Sequence, residues 1–134
     1  MKRDGDTTTL RQRQMSYAIT RLDPMRKRIE EMLRAGQGLV AISAICNISR
    51  NYMGMYVANV LHAVKIMNRG WVFLTPEQHN VYRNSNLMKW IQEQYSPVSI
   101  AKELEVDVEV VESVAELRKL YYNKKARKWN HIDS

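Results

Sequence analysis

Slid against itself by 58 residues, the chain lays one apolar skeleton on another. Ile29, Met32, Leu33, Val40, Ile42, Ile48, Met53 and Tyr56 fall on Leu87, Trp90, Ile91, Val98, Ile100, Val106, Val111 and Val114. A repeat of this kind constrains the fold more than any single motif, because whatever one copy builds the other must build as well. Within each copy the apolar residues recur at helical spacing, break at a turn and recur again, which is the pattern of short amphipathic helices packed face to face. The expected fold class is therefore all-α: two tandem tri-helical units, each with two helices joined by a tight turn. A short aromatic connector, Trp71-Val72-Phe73-Leu74, links them, either as a brief extended segment or as a plug for the core. The organisation read from the chain is a flexible arm over 1–9, a first unit over 10–70, a second over 71–123 and a basic tail over 124–134.

The first copy is the more informative. From Leu39 to Val57 the apolar positions Ile42, Ile45 or Cys46, Ile48, Met53 and Val57 suit two helices packing on each other. Asn47 stands where the first of them must stop, and asparagine tolerates the left-handed backbone such a turn needs. Ser49 is the natural N-cap of the second helix, its hydroxyl accepting from free N–H groups of the first turn. Arg50 and Asn51 follow at outward positions. Arginine offers a bidentate fork to guanine O6 and N7, and asparagine the matching pair to adenine N6 and N7. Gly54, one turn on, lowers helix propensity but permits close backbone approach. Packing alone would also explain two short helices and a turn.

The second copy keeps the scaffold and changes the surface. Ser99 to Val108 reads as a helix and its turn, with small Ala101 at the crossing and Asp107 as N-cap, but Glu105 occupies the turn where glycine or asparagine is favoured. Beyond it Glu109, Glu112 and Glu116 lay a carboxylate stripe on one face, which repels phosphate. That stripe is read as a face for protein contact or self-association, as an ordinary solvated one, or, against its charge, as a DNA contact.

Charge follows the same division. Residues 1–70 carry twelve Lys and Arg against five Asp and Glu, residues 71–117 three against eight, and residues 118–134 six against one. The overall +7 points to a polyanionic partner, met by the first and last segments. Arg26, Lys27, Arg28 and Arg34 either meet a nucleic-acid backbone or form a solvated face. Lys124, Lys125, Arg127 and Lys128, interleaved with Trp129, either hold phosphate nonspecifically or solubilise the chain end.

Flanking helices are expected from Leu10 to Leu22 with a cap among Thr7 to Thr9, and from Pro24 to Ala35 with Asp23 as N-cap and Gly36 as terminator. Thr75-Pro76-Glu77-Gln78 reads as a capping box, opening a helix toward Tyr82 that breaks at Asn84-Ser85-Asn86 and resumes at Leu87. The helix after Ser49 is expected to run on through Val60, Leu61, Val64 and Met67 to Asn68 or Gly70, and that of the second copy through Leu117 and Leu120. At 134 residues and 45% hydrophobic content a globular core is within reach. No apolar run approaches a membrane span and no secretory signal is read, so no membrane partner is expected. The single Cys46 reads as a small buried hydrophobe in a reducing compartment. His62, His79 and His131 are scattered, no Cys or His cluster has metal spacing and no glycine-rich phosphate loop is present, so neither enzyme activity, metal nor cofactor is expected.

The stretches Leu39 to Val57 and Ser99 to Leu117 resemble the tri-helical helix-turn-helix superfamily of bacterial and phage DNA-binding proteins. The resemblance implies that the second helix of a unit enters the major groove and that dimers read paired half-sites. Carried onto this sequence, it puts Arg50, Asn51 and Met55 at base edges and Ser49 and Tyr52 on phosphate. The expectation is a cytoplasmic, nucleoid-associated regulator that binds double-stranded DNA, with a homodimer as a further partner call. The alternative is an assembly or adaptor protein, such as a phage small packaging subunit or an RNA-polymerase-binding factor, acting through Glu109, Glu112 and Glu116.

Overall fold

The computed structural model describes residues 9–132; the expected arm over 1–9, apart from Thr9, and the last two residues of the tail lie outside them. The chain divides into two compact units after Phe73.

The first unit begins with α1 (Leu10–Leu22), opened by a reciprocal cap in which the Thr9 hydroxyl accepts from Gln12 N at 3.1 Å and Gln12 Oε1 accepts from Thr9 N at 2.7 Å. A 3₁₀ turn (Asp23–Met25) leads into α2 (Arg26–Arg34). The turn corrects the reading of Asp23 as the N-cap of the next helix. Its carboxylate instead accepts from the Tyr56 hydroxyl at 2.7 Å, and Tyr56 is the largest fully buried side chain of the unit. A buried phenol must place its hydroxyl somewhere, and Asp23 is the place.

After Gly36, whose φ of +90° stops α2, come α3 (Leu39–Ile45) and α4 (Arg50–Asn59), separated by Asn47 at φ +53°. α1 and α3 both pack on α4. Ala18, Leu22, Ile29, Leu33, Ile42, Met53 and Val57 close the core between them. Cys46 takes the inward position and Ile45 turns outward, which settles the pair left open by the sequence pattern.

The all-α expectation fails at this point. Instead of a long continuation of α4, the chain turns at His62 (φ +54°) and forms an antiparallel hairpin of β1 (Ala63–Ile66) and β2 (Gly70–Phe73), with Ile66 opposite Gly70. The cause is local. Val60, Leu61, Val64 and Met67 fit a helical period over a run too short to distinguish it from strand alternation, while Val64 and Ile66 are β-branched, and Asn68 in the three-residue loop and Gly70 at the start of β2 take positive φ. Met67, counted as part of an apolar helix face, stands 83% exposed on that loop. Of the two readings of the aromatic stretch, the extended one holds for Trp71 to Phe73, which belong to β2 and close the first unit.

The second unit repeats the plan. It comprises α5 (Pro76–Tyr82), α6 (Leu87–Gln92), α7 (Pro97–Leu104), α8 (Val108–Leu117), β3 (Leu120–Asn123) and β4 (Lys128–His131). α5 and α7 pack on α8 as α1 and α3 pack on α4. Thr75 and Gln78 cap α5 reciprocally, at 2.9 and 3.1 Å. The turn before α8 holds Glu105 at φ +56°, matching Asn47, so this unit keeps the turn with a residue that pays strain for it.

The second hairpin overturns the reading of residues after Leu117 as more helix and a free basic tail. Trp129 in β4 is 6% exposed, sits edge-on to Tyr122 at 5.4 Å, and completes a core with Val81, Leu87, Ile91, Ile100, Val111 and Val114. Its indole N–H donates to the Tyr95 carbonyl at 2.7 Å and its backbone N–H to Gln94 Oε1 at 2.7 Å. In the first unit Trp71 donates in the same way to the Gln37 carbonyl at 3.0 Å. Both partners of this bond recur 58 residues later. Val40 and Val98 also match across the repeat, but both are exposed rather than part of the core.

Candidate nucleic-acid interface

The start of α4 is fixed by its cap: Ser49 Oγ accepts from Tyr52 N at 3.3 Å, leaving Arg50 and Asn51 exposed in the first turn. Tyr52 is half-buried because it leans on Tyr17 of α1, ring centroids 4.8 Å apart. Arg21, one turn beyond Tyr17, donates to the Tyr17 hydroxyl at 3.2 Å and to the Asn47 carbonyl at 3.3 Å. A guanidinium thus ties α1 to the turn that sets the direction of α4.

Ser49, Asn51, Tyr52 and Met55 line one side of a surface depression whose other side is Arg11 and Gln14 of α1. Four of the five α4-region residues singled out in the sequence are therefore gathered on one face, with Arg50 exposed beside them. Arg11 and Gln14, together with Tyr17 and Arg21, are what sequence reasoning missed. Their i, i+3 and i, i+4 spacings mark one stripe of α1, but a stripe does not say which helix it borders. The face offers a guanidinium fork, two carboxamides and hydroxyls to a ligand, all donors or mixed donors, with no carboxylate among the lining residues.

Arg26 and Arg28 do not line this depression. Arg26 Nε lies 3.4 Å from Glu30 Oε2, an i,i+4 pair that shares its charge, and Arg34 stacks over the Phe73 ring at 4.3 Å. Arg28 acts on Cys46: burial pushes the thiol up and the nearby guanidinium partly opposes it, a neutral core thiol rather than a nucleophile. Exposed Lys65 and Arg69 on the first hairpin extend the positive surface of the unit beyond the helices.

The same positions in the second unit carry other chemistry. Val108 and Glu109 replace Arg50 and Asn51, and Glu109, Glu112 and Glu116 are all exposed on α8. Asp107 holds the N-cap position without a side-chain hydrogen bond. Lys124, Lys125 and Arg127 occupy the turn of the second hairpin and Lys128 opens β4, so these cations belong to an ordered loop. Counted by unit, residues 1–73 carry +7, and residues 74–134, with nine charges of each sign, carry none.

Among the described residues no cluster of His, Cys, Asp and Glu is placed to hold a metal ion, and no helix is long and apolar enough to cross a membrane. No protein-family model, no curated protein and no solved structure matches the chain.

Proposed function

We propose that the first unit binds duplex DNA, with α4 as the helix presented to the major groove and the chain acting as a small DNA-binding regulator. The observation that carries the reading is the exposed first turn of α4, where Arg50 and Asn51 follow an ordered serine cap on a unit of net charge +7. An arginine fork suits guanine and a carboxamide suits adenine, and a helix of this diameter enters the major groove. Tyr52, Ser49, Arg11 and Gln14 border that turn and are suited to phosphate contacts; Lys65 and Arg69 on the hairpin add to the electrostatic attraction. The hairpin of β1 and β2 follows α4 directly and carries those two exposed cations. Paired half-sites would call for a homodimer.

The test is selection from a random duplex pool at several salt concentrations, with Arg50→Ala beside the parent chain. An enriched motif, a steep fall of affinity with salt, and a loss of about 1–3 kcal/mol of discrimination at one base pair in the variant are expected. Unchanged sequence preference in Arg50→Ala would end the proposal.

The adaptor reading survives for the second unit alone. It is favoured by α8, which carries Glu109 and Glu112 where α4 has Asn51 and Gly54, and Glu116 where α4 has Ala58. These carboxylates are suited to a basic protein surface rather than to phosphate.

A further inference from the structure

The second unit has a depression on its surface. It lies between the starts of α7 and α8 and the second hairpin, with a volume of about 440 Å3. That falls in the size range of small-molecule sites. Pro97, Val98, Val108 and Tyr122 make its apolar part, and Val98 is 62% exposed at the mouth. Lys124 and Arg127 stand on the hairpin side, with Glu112 of α8 as the single carboxylate of the lining.

Comparison with the first unit explains why the space is there. The 58-residue register sets Pro97 against Leu39, Glu112 against Gly54 and Val108 against Arg50. In the first unit the Leu39 side chain reaches over α4, its Cδ1 only 3.8 Å from where a Cβ on Gly54 would stand. The shorter, ring-closed Pro97 does not reach as leucine does, and an apolar floor with valine in place of arginine is left facing outward.

The two cations are held rather than trailing. Asn123 Oδ1 accepts from the backbone N–H groups of Lys125 and Ala126, both at 3.0 Å, and Arg127 follows at φ +55°. This turn fixes the backbone on which Lys124 and Arg127 stand, so less ordering remains for a ligand to impose. Two cations against one carboxylate favour an anionic head, and a guanidinium favours a planar, two-oxygen one.

We propose that this depression binds a small amphipathic organic anion, an aryl or acyl carboxylate. Its apolar body lies on Pro97, Val98, Val108 and Tyr122, and its carboxylate is held by Lys124 and Arg127. Glu112 sets the orientation by repelling the head toward the hairpin.

The test titrates 1-naphthoate into the full chain, read by calorimetry and by backbone amide shifts. Saturable binding is expected, with the largest shifts at Val98, Val108 and Tyr122. Uncharged 1-naphthylmethanol and acetate, which lacks the apolar body, should each bind at least tenfold more weakly. Lys124→Gln with Arg127→Gln, a surface pair checked for an unchanged melting curve, should lose at least tenfold in affinity, and Glu112→Gln should gain several-fold. Absence of saturable binding, equal binding of the alcohol or of acetate, no loss in the double variant, or shifts confined to other residues would each overturn the proposal.

Discussion

From α3 and α7 onward the two units share a plan to within a residue, yet they present different surfaces. Elements α3, α4, β1 and β2 recur as α7, α8, β3 and β4, and even the indole-to-carbonyl bond from Trp71 to Gln37 recurs from Trp129 to Tyr95. What changes lies outward: Arg50 and Asn51 become Val108 and Glu109. The lesson is that core and turn geometry are held by a few residues that tolerate little change, while the exposed face of the same helix is free to acquire another ligand.

The largest break in this symmetry should come from the indoles. Trp129 is buried and bonded through both its backbone and its ring, whereas Trp71 is only half-buried. Trp129→Ala should cost the second unit about 3–5 kcal/mol, the range for a buried aromatic, and Trp71→Ala distinctly less. Hydrogen exchange resolved by unit checks this; equal losses would mean that the two hairpins are seated alike.

Next comes a bond present in the first unit alone. Tyr56→Phe deletes the hydroxyl that donates to Asp23, for an expected loss of about 1.5–3 kcal/mol, since the acceptor is a carboxylate. The matching residue is Val114, which has no such bond to lose. Burial first, and the Asp23 carboxylate second, hold the Tyr56 phenol above its usual range. A group raised on folding stabilises below its unfolded value of about 10 and loses that contribution as pH climbs through the folded one. Stability of the parent first unit should therefore fall above pH 10 more steeply than that of Tyr56→Phe, measured by denaturant melts across the alkaline range.

Surface charge gives a smaller, sharper contrast. Replacing Glu109, Glu112 and Glu116 by lysine should raise nonspecific duplex affinity of the whole chain about tenfold at low salt, and steepen its salt dependence, with no gain in sequence preference. A basic partner protein, if captured by the parent, should be lost. If the partner stays bound, the stripe is a solvated face.

The smallest effect is in the turns. Glu105 sits at φ +56° where the first unit has Asn47 at +53°. Glu105→Gly should stabilise the second unit by about 1 kcal/mol by relieving the left-handed strain, and Asn47→Gly should do much less for the first. Thermal melts of the two variants decide it.

Much of this plan is legible in the sequence alone. The reciprocal cap at Thr75, the serine cap at Ser49 and the left-handed turn at Asn47 each depend on residues within four positions of one another, so a linear reading reaches them. The hairpins are not legible in the sequence because the stretches after Asn59 and Leu117 are short enough to satisfy two periodicities. Trp129 reads in sequence as part of a tail because its partners, Gln94 and Tyr95, lie 35 and 34 residues away. The face beside α4 was half seen for the same reason: Ser49, Asn51 and Met55 are neighbours along one helix, but Arg11 and Gln14 reach them only through the packing of α1.

The paired indoles also give the molecule its own optical labels. The chain has three tryptophans, and only Trp71 lies in the first unit; Trp90 and Trp129 both lie in the second. In Trp71→Phe every indole photon therefore comes from the second unit. Subtracting its emission from that of the parent isolates the closure of the first hairpin against the Gln37 carbonyl, so the two halves can be watched opening separately in one cuvette without attached dyes.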